Sequence, residues 1–309
     1  MIAGQHLLGI RDLTVDQIYA ILDAARGFKD ISRRLIKKVP SLRGRSIMTV
    51  FYEASTRTRM SFELAAKRLS ADISNIQTAG SSVKKGESLL DTMQNLDAMQ
   101  LDAVIIRHHD SGAPHYLANR LKARVINAGD GQHEHPTQAL LDMLTIQDYF
   151  EKFEGLEVAI IGDILHSRVA RSNLIGLHKL GAKLRVFGPK TLIPLGLAET
   201  YGCTVCANLE QALDGVHVAM TLRLQRERMS AGLLPDLREY AVEYGINSNR
   251  LKHIRKEGIL MHPGPVNRGV ELAPDVMDGE RSVILEQVEN GVAVRMAVMY
   301  LILGGEAHE

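Results

Sequence analysis

Cysteine is nearly missing from this chain: there are two in 309 residues, Cys203 and Cys206. That is too few for a disulfide framework and is the usage of a reducing compartment, so a cytoplasmic protein is expected. The pair forms one C-x-x-C, half of the four ligands of a structural zinc, and no His-x-x-x-His follows. Both are read as small apolar strand residues. An excess of either charge is missing too. Lys plus Arg (37) against Asp plus Glu (36) leaves a net charge of +1. No global basic field exists to draw nucleic acid or an anionic membrane, so any anion site must be local. Long apolar runs are absent as well. The longest, Met296 to Leu303, is far too short to cross a bilayer, and the stretch holding Arg11, Asp12 and Asp16 lacks the apolar core of a signal peptide. G-x-G-x-x-G and H-E-x-x-H do not occur, which argues against a dinucleotide and against a protease-type zinc. No repeat, linker or low-complexity tract is visible.

What remains is ordinary globular usage, 45% hydrophobic and 24% charged, long enough for one large or two medium domains. Strand-like runs at 45–52, 72–79, 103–106 and 124–127 alternate with helical spacing at 14–36, 60–69, 89–99 and 113–121. Thr14 and Gln17 are placed as a capping box. Pro136 opens a helix whose apolar residues, from Ala139 to Phe150, recur on more than one face, as in a buried helix. A second alternation follows, with strands at 157–162, 183–187, 203–207, 217–221 and 259–261, a helix at 167–180 and a long terminal helix at 282–303. Strand–helix alternation predicts mostly parallel sheets covered on both faces. The fold class is therefore α/β: two doubly wound parallel-sheet halves meeting near residue 136. Such sheets bind ligands beyond the carboxyl ends of their strands.

The richest such end is Ser55-Thr56-Arg57-Thr58-Arg59, between the strand at 45–52 and a helix with apolar residues at Met60, Leu64, Ala65 and Leu69. Ser55 is expected to be the N-cap. Unpartnered first-turn amides, the positive dipole end, three hydroxyls and an arginine make a pocket for phosphate. At about 100° per residue Arg57 and Arg59 point roughly 200° apart. Arg57 is assigned to the ligand and Arg59 to an ion pair. Elsewhere, Arg107 closes a strand. His133 and His135 are two apart and are weighed as metal ligands, but Pro136 blocks continuation of a ligand helix and metal is rejected. Arg168 projects from a helix start, suited to a carboxylate. Arg223 and Gln225 share one face if extended, so both can meet one ligand.

Glu53-Ala54-Ser55-Thr56-Arg57-Thr58-Arg59 resembles the carbamoyl-phosphate motif of the transcarbamoylase family. Further stretches between residues 81 and 268 are similar to the branch of that family that uses aspartate, and the likeness covers nearly the whole chain. The resemblance implies transfer of the carbamoyl group of carbamoyl phosphate to the amine of L-aspartate, giving N-carbamoyl-L-aspartate and phosphate in pyrimidine biosynthesis, without metal or cofactor. It implies a carbamoyl-phosphate domain of residues 1–136, joined by the terminal helix at about 286–309, and an aspartate domain of residues 137–285. By resemblance, Ser55, Thr56, Arg57, Thr58 and Arg107 bind phosphate. Thr58, Arg107 and His135 hold the carbamoyl oxygen, and Gln138 the carbamoyl nitrogen. Ser81 and Lys85, in a basic loop with Lys84, reach a neighbouring subunit's site, which implies a homotrimer. Arg168, Arg223, Gln225 and Lys85 hold aspartate; Gly264 and Pro265 serve through their backbone. Glu53 pairs with Arg168 or a neighbouring arginine. His166 stands where many members carry tyrosine, and Gly264 where some carry leucine. A regulatory chain or a dihydroorotase is the partner the resemblance allows.

Overall fold

Runs such as Ile47-Met48-Thr49-Val50-Phe51 and Ala103-Val104-Ile105-Ile106 have no polar alternation, and such strands persist only where both faces are covered. The computed structural model describes residues 2–77, 87–225 and 236–304. Its strands form two all-parallel sheets. The chain divides into two units, residues 1–144 with 289–309 and residues 145–288.

In the first unit the elements run α1 (Val15–Arg33), β1 (Ser46–Phe51), α2 (Thr56–Arg68), β2 (Asp72–Gln77), α3 (Leu89–Asp97), β3 (Ala103–His108), α4 (Ala113–Ala118), β4 (Arg124–Asp130) and the start of α5 (Pro136–Phe150). The sheet order is β2-β1-β3-β4. The chain therefore leaves β1 toward one side and returns on the other at β3, so the order reverses between β1 and β3. Met48, Val50, Val104, Ile106 and Val125 pack with Met93 and Leu96 of α3 and Leu117 of α4 into one core. Each such side chain removed from water contributes about 1.5–3 kcal/mol.

The second unit runs β5 (Glu157–Ile161), α6 (Arg168–Lys179), β6 (Lys183–Phe187), α7 (Leu197–Tyr201), β7 (Cys203–Val205), α8 (Leu209–Leu213), β8 (Val218–Thr221), α9 (Leu237–Tyr244), α10 (Ser248–Leu251), β9 (Ile259–Met261), α11 (Pro274–Met277) and the start of α12 (Ile284–Leu303). Its order is β7-β6-β5-β8-β9, reversing between β5 and β8. Ile161, Ala219 and Leu260 pack against Leu209 and Leu213 of α8 and Val276 of α11.

Local signals worked where they were strong. The capping box is made: the Gln17 amide donates to Thr14 Oγ1 at 3.2 Å and the Thr14 amide to Gln17 Oε1 at 2.9 Å. Ala139 to Gln147 of α5 are all buried, as a helix apolar on several faces requires. The terminal helix packs on the first unit: Tyr300 meets Phe28 edge-on at 5.5 Å, and Ile302 O accepts from the Gly4 amide at 3.1 Å. Cys203 and Cys206 are buried free thiols. Of the four apolar residues that set the spacing of α2, Ala65 and the C-cap Leu69 are buried. α2 buries Thr58, Phe62, Ala65 and Ala66, whereas Met60 and Leu64 are exposed, 58% and 42%. Phe62 at the centre of a different face outweighs the smaller hydrophobes. The short helices α7 to α11 were not predicted, because four to eight residues carry too little periodicity. Residues 78 and 79 of the predicted second strand lie outside the described residues. No described helix is long and apolar enough to cross a membrane.

Candidate functional site

The two sheet reversals are where the predicted residues gather. In the first unit, β1 and β3 are neighbours in register, Phe51 opposite Arg107, and the Tyr52 amide donates to Arg107 O at 2.9 Å. Ser55 and the first turn of α2, Thr56 to Arg59, thus follow the strand that pairs with the one ending at Arg107. Ser55 takes the N-cap position of α2 but makes no capping bond. Its hydroxyl donates instead to Thr58 Oγ1 at 3.0 Å. The N-cap position is the expected one but its side-chain bond is not made, and the consequence is chemical. The Ser55 side chain does not occupy the first amides of the helix, as suits an anion there. Thr56 and Arg57 are exposed and Thr58 is buried. Arg59 turns away into an i,i+4 ion pair with Glu63 at 3.3 Å, the structural role expected of it.

Arg107 is buried. Its Nη1 donates to Ala128 O at 3.2 Å and its Nη2 to Glu53 Oε1 at 2.5 Å. Glu53 was expected to meet Arg168 or a neighbouring arginine; it meets the neighbour, Arg107. β4 flanks β3, and the segment after it carries His135, buried, and Gln138, half-buried. Gln138 Nε2 donates to Asp142 Oδ1 at 3.0 Å. That segment is fixed by Asp130. Its carboxylate accepts from the amides of Gly112 and Glu134 and from Asn127, and pairs with His133. Burial alone would raise the Asp130 carboxyl, but the bonds from His133, Gly112 and Asn127 hold it below the usual range. Among the described residues, two groups bring possible metal-ligating atoms within 4.8 Å: His108 with His109 and Asp110, and His115 with Asp130 and His133. Neither contains a residue assigned to the anion, and both Asp130 oxygens are already engaged.

In the second unit, β5 and β8 are the neighbours, and the Leu222 amide donates to Ile161 O at 2.8 Å. Arg168 is buried at the first position of α6, whose cap Ser167 accepts from the Ala170 amide at 3.1 Å. Beyond β8, Leu222 and Leu224 are buried and Arg223 and Gln225 are less so, the predicted alternation. Two carboxylates grip consecutive amides of this segment. Leu224 N donates to Glu271 Oε1 at 2.8 Å, and Gln225 N to Asp163 Oδ2 at 3.3 Å. Asp163 also pairs with His166 Nδ1 at 3.0 Å. Burial pushes the Glu271 carboxyl above its usual range, against the amides of Leu224 and Asn267 that pull it down. Beyond β9, the Gly264 amide donates to His262 Nδ1 at 2.7 Å and Gly264-Pro265 is a cis peptide. Gly264 has a φ of 62°, where a leucine would be strained. Arg268, whose role was open, forms a two-pronged ion pair with Asp278 at 2.9 and 3.0 Å on the surface.

Ser81, Lys84 and Lys85 lie outside the described residues, as do Arg226 and Arg228. Sequence reasoning missed Asp142, Asp163 and Glu271. For Asp142, the i,i+4 spacing from Gln138 was an available signal. Glu271 lies 47 residues from the amide it holds, and such a contact leaves no local pattern.

Two family models match the chain one after the other. Residues 5–148 match the family model "Aspartate/ornithine carbamoyltransferase, carbamoyl-P binding domain". Residues 154–302 match "Aspartate/ornithine carbamoyltransferase, Asp/Orn binding domain". The chain is 58% identical to the aspartate carbamoyltransferase catalytic subunit of Sorangium cellulosum over 305 residues, covering 99% of this chain and 94% of that one. It resembles the aspartate transcarbamoylase of Trypanosoma cruzi solved with carbamoyl phosphate and aspartate, at a TM-score of 0.87 and 28% identity over 98% of this chain and 96% of that one. It resembles the ornithine carbamoyltransferase of Pyrococcus furiosus equally in shape, with a TM-score of 0.88 and 28% identity over 99% of each chain. With both family models matched in order over most of its length, the chain belongs to the aspartate/ornithine carbamoyltransferase family.

Proposed function

We propose that this chain transfers the carbamoyl group of carbamoyl phosphate to the amine of L-aspartate, giving N-carbamoyl-L-aspartate and phosphate for pyrimidine synthesis. The observation that carries the reading is the placement of Arg168 at the start of α6, after β5, and of Arg223 with Gln225 just beyond β8, the two strands at the second sheet's reversal. Two guanidiniums there suit an acceptor with two carboxylates and repel the ammonium side chain of ornithine. The 58% identity to an aspartate enzyme supports the same acceptor, which the shared shape with an ornithine enzyme does not decide.

In the first unit, Ser55, Thr56, Arg57, Thr58 and Arg107 hold the phosphate. Thr58, Arg107 and His135 donate to the carbamoyl oxygen, and Gln138 accepts from the carbamoyl nitrogen. Attack of the aspartate amine on the carbamoyl carbon forms the C–N bond and places negative charge on that oxygen. Each preorganised donor there lowers the barrier by about 3 kcal/mol. Collapse breaks the C–O bond to phosphate, and the amine proton leaves with the phosphate. Holding both reactants in attacking geometry contributes roughly 7–11 kcal/mol at best. Arg168, Arg223 and Gln225 hold aspartate, while Gly264 and Pro265 serve through backbone groups. Ser81 and Lys85 complete the site from a neighbouring chain, which makes the enzyme a homotrimer; Met60 and Leu64, exposed on α2 in the single chain, support burial in an assembly. The relatives' designation as catalytic subunits supports a further partner chain, a regulatory chain or a dihydroorotase. The two free, buried thiols support a cytoplasmic location.

Phosphate release from carbamoyl phosphate, measured with aspartate and separately with ornithine, tests the reading. Release that needs aspartate and shows a raised KM for aspartate in Arg223→Ala is expected. Release with ornithine instead would overturn the acceptor and leave the first unit's role standing.

A further inference from the structure

Gln138 sits in the first turn of α5, half-buried, and Asp142 lies one turn later on the same helix face, fully buried. The Gln138 Nε2 donates to Asp142 Oδ1 at 3.0 Å. A carboxylate can only accept, so the amide must turn its NH2 toward Asp142 and its oxygen away. The orientation of a glutamine amide is usually ambiguous; beside a carboxylate it is not. Arg295 of α12 is also buried; burial works against its charge, and the Asp142 carboxylate favours it. Arg295 Nη1 donates to Ser61 Oγ at 2.8 Å and to Gly291 O at 3.0 Å, and its guanidinium lies 5.0 Å from the Phe62 ring. Ser61 is one turn beyond Arg57 on α2. Arg295 is therefore bonded to the phosphate helix, and Asp142 to the amide assigned to the carbamoyl nitrogen.

We infer that Asp142 is a positioning residue that selects the carbamoyl group: by holding the Gln138 NH2 inward it presents Oε1 as a fixed acceptor, which a carbamoyl NH2 satisfies and an acetyl methyl does not. The inference rests on the carbamoyl-phosphate reading of Gln138. Carbamoyl and acetyl phosphate differ by NH2 against CH3 and are nearly equal in size, so van der Waals fit separates them poorly. A site built around a hydrogen bond rejects the analogue that lacks its donor far more strongly than shape alone does. Without Asp142 the amide is free to rotate and meet a methyl with either end.

The test is the ratio of dissociation constants for acetyl and carbamoyl phosphate, measured by calorimetry on the full chain. Wild type, Asp142→Asn, Gln138→Ala and the double variant are compared. Asparagine can donate or accept, so the Gln138 amide is released while the volume is kept. The ratio is expected to fall about tenfold in Asp142→Asn, the worth of one hydrogen bond, through weaker carbamoyl phosphate binding alone. It is expected to fall no further when Asp142→Asn is added to Gln138→Ala. Should the single variant fail to fold with Arg295 uncompensated, Asp142→Asn with Arg295→Gln removes both charges together and carries the same ratio test. A ratio unchanged from wild type, or equal weakening of both ligands, would make Asp142 a structural brace only and overturn the inference while the functional reading stands. A wild-type chain that binds neither acyl phosphate would overturn both.

Discussion

Arg107 shows how a functional side chain is held before its ligand arrives. Both of its terminal nitrogens are committed, one to a backbone carbonyl and one to Glu53. The carboxylate offsets a buried cation that would otherwise be costly. Arg107→Ala is therefore expected to lower kcat by about 10²–10³, as loss of an oxyanion donor does, and steady-state phosphate release checks it. His108, beside it, reports on stability. Burial is the main cause that pulls its pKa below 6.5, helped by His109. On acidification the unfolded chain takes up this proton first. Its contribution is thus intact above pH 6.5 and is lost as pH falls from 6.5 through the folded-state value. Thermal unfolding followed across that window is expected to show a smaller decline for His108→Gln than for wild type. Some decline remains, because His6 and His217 are shifted the same way by burial. At this scale the sequence was informative for arginines and hydroxyls clustered in short motifs. It was silent for the hold of Asp163 and Glu271 on the amides of Gln225 and Leu224, 62 and 47 residues away.

At the level of elements, the contrast is between helix starts. Thr14 and Ser167 cap α1 and α6, whereas Ser55 does not cap α2. A helix that leaves its first amides to a ligand lacks a cap bond usually worth about 1 kcal/mol. Strand ends, in turn, are set by close backbone approach. A Cβ on Gly162 would lie 2.8 Å from Tyr240 Oη, and one on Gly188 would collide with the Gly162 carbonyl oxygen. Gly188→Ala is expected to destabilise the second unit by several kcal/mol, since backbone cannot yield cheaply; chemical denaturation checks it, and a change under about 0.5 kcal/mol would refute the packing argument. Leu224 makes the complementary point. It is buried with Leu192 and Tyr240 and so anchors the segment bearing Arg223 and Gln225. Leu224→Ala is expected to cost about 2–5 kcal/mol and to raise the KM for aspartate as well. Long strands and helices were legible because their apolar period is sustained. On α2 the spacing marked the buried Ala65 and Leu69, but Met60 and Leu64 are exposed because the buried face is the one with Phe62, which spacing alone does not weigh.

For the whole molecule, two parallel sheets each reverse their strand order once, and the candidate residues follow the strands at those reversals. The alternation of strand and helix made that architecture readable before any coordinates. The acceptor was not readable from architecture at all: aspartate and ornithine enzymes match the fold with TM-scores of 0.87 and 0.88. It rests on Arg168, Arg223 and Gln225. The assembly likewise rests on residues outside the described part of the chain. Light scattering on the purified protein is expected to give three chain masses, and a monomer active at that same concentration would refute sharing of Ser81 and Lys85. The central claim is the identity of the transferred group and its acceptor. Nuclear magnetic resonance with ¹³C-labelled carbamoyl phosphate and unlabelled aspartate tests it most directly. One N-carbamoyl-L-aspartate formed for each phosphate released, abolished in Arg57→Ala, is the result predicted. Phosphate released without a new carbon–nitrogen bond to aspartate would contradict it.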